Sequence, residues 1–224
     1  MHIDIISVVP EILENSLFYS IIKNAVKKNI VEIEIHDLRN YGLGKYRQVD
    51  DYPYGGEAGM VLMIEPVFNL INDLKKIRNY DLIIYTAPEG EKWSQNEANK
   101  LSLLENIIIL CGHYKGIDQR IRDFLIDKEY SIGDFVLTGG ELVAAMICDS
   151  IVRLLPGAIG DGQSALSDSF QDNLLAPPVY TRPAIFNDWK VPAVLLSGNF
   201  AEIDNWKHEQ AEKRTLLFRP ELIE

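Results

Sequence analysis

Basic charge is scarce in this chain. It has 22 Lys plus Arg against 33 Asp plus Glu, a net charge of −11 over 224 residues. That balance excludes a generic nucleic-acid coat, which needs a basic face to meet phosphates. Cysteine is nearly absent: Cys111 and Cys148 stand apart, with no CxxC pair. A disulfide framework and a cysteine zinc site are therefore disfavoured, and a cytoplasmic location fits. No run approaches the roughly 18 uncharged apolar residues of a membrane span. Met1-His2-Ile3-Asp4 lacks the basic and then apolar start of a secretory signal. Neither a membrane nor DNA is expected as a partner. The common nucleotide fingerprints are missing as well. No GxGxxG follows the first strand signal, and Gly42-Leu43-Gly44-Lys45 is only a fragment of a phosphate loop. His208-Glu209 does not continue into HExxH, and Gly162-Gln163-Ser164 does not complete GxSxG. These gaps disfavour a P-loop ATPase, a zincin and an α/β-hydrolase, and no metal site is read from the residues.

What is present is a globular pattern, 47% hydrophobic, with no internal repeat. Ile3 to Val9 reads as a strand stopped by Pro10, and Ile12, Leu13, Leu17, Ile21, Ile22 and Ala25 as one helix. Val31, Ile33 and Ile35 alternate with charged neighbours, the period of a half-buried strand. Residues 39–60 read as a long glycine-bearing loop, a length that usually signals function. A helix is expected over about 66–78, a strand over Leu82 to Tyr85, and a helix opening at Ser94, which has capping-box spacing to Glu97. Ile107-Ile108-Ile109-Leu110 has the continuous apolar character of a strand buried on both faces. Thr138 and Glu141 form a second capping-box pattern before an apolar helix to about Leu155. Alternating strands and helices imply an α/β fold with a largely parallel sheet flanked by helices. Residues 156–183 are rich in Pro and Gly and read as a linker to a small C-terminal unit with an amphipathic helix over about Ala201 to Leu217.

Three glycine-bearing loops follow three expected strands: Thr86-Ala87-Pro88-Glu89-Gly90, Gly112-His113-Tyr114-Lys115-Gly116, and Ile132 to Gly140. Ligands in open α/β sheets collect outside strand C-terminal ends, so these loops are candidates for one small-molecule pocket. The alternative is that the glycines simply turn the chain. Taken singly, Arg153 reads as a snorkelling residue at a helix end and Asp168 as a turn or N-cap residue. Asp50-Asp51 reads as an ordinary turn.

Two long motifs change that balance: Val49-Asp50-Asp51-Tyr52-Pro53-Tyr54-Gly55-Gly56-Glu57-Ala58-Gly59-Met60, and Ser131-Ile132-Gly133-Asp134-Phe135-Val136-Leu137-Thr138-Gly139-Gly140-Glu141-Leu142. With Cys111 to Asp118, Ser164 to Phe170, Tyr180-Thr181-Arg182-Pro183 and Leu195 to Gly198, they closely resemble the bacterial tRNA (guanine-N(1)-)-methyltransferase family, TrmD, of the SPOUT superfamily. The resemblance runs in order over nearly the whole chain. It implies methyl transfer from S-adenosyl-L-methionine to the ring N-1 of the guanosine 3′ of the anticodon, tRNA position 37. It also implies a deep trefoil knot, a topology that sequence periodicity does not reveal, and a homodimer acting on tRNA. The implied organisation is a methyltransferase domain over 1–158, a linker over 159–172 and a small helical domain over 173–224.

Residue roles carry over by position. Asp168 matches the general base and Arg153 the arginine that stabilises charge on the guanine oxygen. The knot loops imply donor contacts from Thr86, Ala87, Pro88, Glu89 and Gly90, from Gly112 and Tyr114, and from Ile132, Gly133, Asp134, Phe135, Val136, Leu137, Gly139 and Gly140. Asp50, Tyr54, Gly55, Gly59, His113, Lys115 and Ser164 are implied on the guanine side. By charge rather than by resemblance, Lys45, Arg47, Lys207, Lys213 and Arg214 are candidate local basic groups for tRNA contact. One departure stands out: better-known members carry Arg-Tyr-Glu-Gly where this chain has His113-Tyr114-Lys115-Gly116. That glutamate is linked to guanine contact and to a magnesium requirement. An ammonium group does not ligate Mg2+, so use of Mg2+ stays open. Two alternatives remain at this point: a SPOUT methyltransferase acting on another RNA, and an RNA-binding homologue without catalysis.

Overall fold

The computed structural model describes residues 1–159 and 168–223. They fall in two compact units, Met1–Gly160 and Asp161–Glu224. The first is built on a five-stranded sheet of order β2-β1-β6-β5-β7, with every pairing parallel. Its strands are β1 (His2–Ser7), β2 (Glu32–Asp37), β5 (Leu82–Lys92), β6 (Asn106–Cys111) and β7 (Lys128–Ser131). Short strand β3 (Asp50–Asp51), inside the 39–60 region, pairs antiparallel with β4 (Val61–Leu62) just beyond it, and the region otherwise stays loop and 3-10 turn.

Successive residues of the central strand β6 face opposite layers, which is why its apolar run is unbroken. Ile107, Ile109 and Cys111 join the core under α1 (Pro10–Leu17), α2 (Ser20–Lys27), α4 (Gln95–Leu101) and α6 (Glu141–Val152). Ile108 and Leu110 join the core under α3 (Ile64–Ile77) and α5 (Gln119–Leu125). Each such buried Ile or Leu contributes about 1.5–3 kcal/mol of transfer free energy. No helix among the described residues is long and apolar enough to cross a membrane.

Several local expectations need correction. The single helix expected over residues 12–25 is two. At about 100° per residue, Leu13 and Ile22 would lie on opposite sides of one straight helix. A break at Phe18-Tyr19, followed by Ser20 at φ 43°, lets both reach the same core cluster. Ser94 does cap α4, its side chain accepting from the Glu97 amide. Thr138 does not cap α6: the N-cap is Gly140, with no side-chain cap bond. Glu141 is buried instead and accepts a hydrogen bond of 2.8 Å from the Ser7 hydroxyl. Residues 86–90, expected as a loop, belong to β5, though the pairing with β7 shifts between Thr86 and Glu91.

In the second unit, β8 (Ile185–Phe186) and β9 (Trp189–Lys190) form an antiparallel hairpin, followed by α7 (Ala193–Leu196) and α8 (Phe200–Phe218). α8 is less amphipathic than expected. It buries only Ala211 and Thr215, while Leu216, Leu217 and Phe218 are exposed. The Thr215 hydroxyl accepts from the Leu175 amide at 2.9 Å and donates to the Ala211 carbonyl at 2.7 Å.

Candidate active site

A cavity of about 370 Å3 opens where β6 and β7 end, beside the stretch of β5 where its pairing with β7 shifts. Thr86, Ala87, Pro88 and Glu89 form one wall, and Gly112, His113, Tyr114, Lys115 and Gly116 a second. Ile132, Gly133, Phe135, Val136, Leu137, Gly139 and Gly140 form the third. The three stretches singled out in the sequence, one of them strand rather than loop, thus meet in one place. Two of their residues lie outside the lining. Gly90 packs against the Glu129-Tyr130 backbone, where a Cβ would come within 2.6 Å. Asp134 is exposed and pairs with Lys92 at 3.0 Å.

Close backbone approach holds the walls together. The Gly112 amide donates to Thr86 Oγ1 at 3.0 Å, and the Gly140 amide to the Gly112 carbonyl at 2.7 Å. A Cβ on Gly112 would meet the Thr86 carbonyl at 2.5 Å, and one on Gly140 the Gly112 nitrogen at 2.7 Å. Only glycine fits at either place. Tyr114 holds a left-handed backbone, φ 57°, on the second lip, the kind of local strain that gathers at functional sites. His113 Nδ1 is buried without a hydrogen-bond partner among the described residues, so the lip keeps one polar atom in reserve.

The sequence reading missed several lining residues: Tyr85, Ile117, Arg122, Tyr130, Ser131 and Val143. Arg122 is the most consequential. It forks onto Glu129 at 2.8 and 2.5 Å, reaches Glu89 at 2.6 Å, and lies 5.6 Å over the Tyr85 ring. Its partners, Glu129 first, raise its pKa further. Burial, with Glu89 nearby, pushes the Tyr85 phenol up to about 12, so it stays protonated. Nothing in the sequence spacing marks Arg122, because its partners lie 33 and 7 residues away. The cysteines play no part: burial pushes the Cys148 thiol up to about 12 and that of Cys111 well above its usual value.

The 50–60 loop is stitched to the cavity's second lip. The Lys115 amide donates to the Met60 carbonyl, the Leu62 amide to the Gly116 carbonyl, and the Asp118 amide to the Leu62 carbonyl, each at 3.0 Å. The Lys115 stem lies over Gly59, where a Cβ would meet it at 2.9 Å, and its ammonium pairs with Glu57 at 2.9 Å. The hydrogen bond from Lys115 lowers the Glu57 pKa. Asp50 is half-buried in β3, Gly55 turns the chain at φ 96°, and Tyr54 is fully exposed.

Other candidates are placed separately. Arg153 is the half-buried C-cap of α6. Asp168 is half-buried in the second unit, ahead of the Gln171–Asn173 turn. Ser164 lies outside the described residues. On α8, exposed Lys213 sits 3.7 Å from Glu209, and the Arg214 guanidinium lies 5.7 Å over Phe218.

Comparison with known proteins agrees with the motifs. The family model for tRNA (Guanine-1)-methyltransferase TrmD matches residues 1–224. A tRNA (guanine-N(1)-)-methyltransferase of Bacteroides thetaiotaomicron is 60% identical over 224 residues, covering all of both chains. One from Porphyromonas gingivalis is 58% identical over all of this chain and 99% of its own. One from Flavobacterium psychrophilum is 53% identical over all of both. The chain belongs to the TrmD family of tRNA (guanine-1)-methyltransferases.

Proposed function

We propose that this chain methylates the ring N-1 of guanosine at tRNA position 37, with S-adenosyl-L-methionine bound in the cavity beside β5 where β6 and β7 end. The observation that carries the reading is the convergence of two glycine-bearing loops, after β6 and β7, and the 86–89 segment of β5 on that cavity, in a chain matched end to end by the family. The residues present suit the donor. Gly112 and Gly140 let the walls close on each other where a Cβ would clash, and His113 Nδ1 offers an unmet polar atom. Walls such as Leu137, Val136 and Ile132 offer apolar surface for an adenosyl group. S-adenosyl-L-methionine supplies an electrophilic methyl on a sulfonium and leaves as the neutral thioether.

The chain's own residues handle the guanine. Neutral guanine N-1 bears a proton and is a poor nucleophile. Asp168 takes that proton as the N-1 electron pair forms the new N–C bond. Arg153 faces the negative charge that develops on the guanine carbonyl oxygen. Tyr54, exposed at the tip of a loop tied to the cavity lip, offers a stacking face beside Asp50, Gly55 and Gly59. Ser164, Lys213 and Arg214 complete the tRNA contacts.

Mg2+ does not fit the residues present. Lys115 holds the place of the family's glutamate, and its ammonium offers no lone pair. The two described clusters of metal-capable side chains, His2-Glu32-Glu34 and Asp4-Glu34-His36, contain no cavity residue. No step is routed through the metal.

The family further supports a deep trefoil knot in the α/β domain, a linker over 159–172, a helical domain over 173–224, a homodimer and a cytoplasmic setting. The test is methyl transfer from labelled S-adenosyl-L-methionine to unmodified tRNA transcripts. Wild type labels position 37, and Asp168→Ala loses about 10²-fold or more in turnover while still binding the donor. Label elsewhere in the tRNA would point to another RNA site, and an unimpaired Asp168→Ala would remove the base.

A further inference from the structure

We infer, on the reading of the cavity as the donor site, that Arg122 is a positioning residue that fixes the donor-facing wall of β5. Thr86 and Glu91 both stand opposite Tyr130 of β7, so residues 87–90 leave the ladder between them. Ala87, Pro88 and Glu89 of this excursion line the cavity. A backbone segment without ladder partners needs another support to keep one shape.

Arg122 supplies it. Its Nε and Nη2 donate in parallel to both Glu129 oxygens, at 2.8 and 2.5 Å, which anchors the guanidinium on β7. Its Nη1 donates to Glu89 Oε1 at 2.6 Å, on the excursion itself. The guanidinium thus spans the gap where the two strands stop pairing. It also covers the Tyr85 ring, whose hydroxyl lies 3.3 Å from a Cβ built on Gly112, against the second lip. One side chain, on the helix that follows that lip, therefore ties two cavity walls to β7. The geometry needs a planar fork with separate donors; a lysine ammonium cannot meet both carboxylates in this arrangement.

The test measures S-adenosylhomocysteine affinity by calorimetry, and KM for each substrate, in wild type, Arg122→Gln, Arg122→Lys, Glu89→Gln and the Glu89→Gln/Arg122→Gln double variant. Arg122→Gln and Arg122→Lys each weaken S-adenosylhomocysteine and raise KM for S-adenosylmethionine about tenfold, with KM for tRNA unchanged. Because Arg122 supports the excursion through Glu89, the double variant loses clearly less than the product of the two single losses, the remainder coming from the Tyr85 contact. A general structural role instead raises both KM values together. That result, additive losses in the double variant, or wild-type affinity in Arg122→Lys would overturn the inference. If Arg122→Gln does not fold, Arg122→Lys and Glu89→Gln carry the same test, and wild-type donor affinity in either overturns it. A wild type that binds no S-adenosylhomocysteine overturns the donor-site reading as well, before any variant is compared.

Discussion

Gly140 shows how much a single residue carries. Its amide closes onto the Gly112 carbonyl, it caps α6, and its missing Cβ leaves the space occupied by Thr86 and Gly112. Gly140→Ala therefore forces the third wall away from the second. Donor affinity, measured by calorimetry with S-adenosylhomocysteine, should fall at least about tenfold, as for overpacking that backbone must absorb. Lys115 gives a second expectation. With an ammonium at Lys115, which cannot ligate the metal, chelation of divalent metal should change turnover by less than about twofold. A strict Mg2+ requirement in the same assay would show that other oxygen ligands serve. At this scale the glycines were legible, because they sit in long uninterrupted motifs. Arg122 was not: its meaning comes from Glu89 and Glu129, which only the fold brings to it.

Elements follow their local patterns until a tertiary contact outweighs them. The apolar run 107–110 gave away β6, and Ser94 gave away the start of α4. The pattern over 12–25 misled because two apolar faces half a turn apart cannot share one straight helix. Thr138 misled because α6 starts where Gly140 can approach Gly112, not where a hydroxyl is available. Away from the cavity, β1 and β2 carry a polar cluster that joins them to the chain between α3 and β5. Buried Asp4 lies 2.5 Å from His36, 2.6 Å from the Tyr80 hydroxyl, 2.9 Å from His2 and 3.6 Å from Arg78, with Glu34 and Glu32 beside the histidines. Burial works to raise the Asp4 pKa, but hydrogen bonds from His36 and Tyr80 and the charge of His2 outweigh it, so the pKa is lowered. A lowered folded pKa means a contribution fully present above the unfolded value, about 3.9, and lost as pH falls through the folded one. Asp4→Asn should therefore be less stable than wild type at pH 7, with the difference shrinking below about pH 4 in urea titrations. A difference that stays constant down to pH 2 would remove Asp4 as its source.

On the scale of the whole molecule, an acidic protein has to hold an acidic nucleic acid. The net charge of −11 leaves affinity to local basic groups. Binding should weaken with salt, with a slope set by the few phosphates met. Light scattering should give the mass of a dimer if the site is shared between two copies as the family reading has it; a monomer mass would contradict that. The α/β class and the parallel sheet were legible from alternating strands and helices. The contacts divide the chain at 160/161, inside the Pro- and Gly-rich stretch over 156–183. A knot leaves no periodic mark, so only the family resemblance speaks to it.

The most direct measurement of the central claim is methyl transfer to two tRNA transcripts that differ only at the base 3′ of the anticodon. The account predicts transfer to the guanine transcript, located at its N-1, and none to the adenine transcript. Equal labelling of both, or none of either despite donor binding, would contradict it.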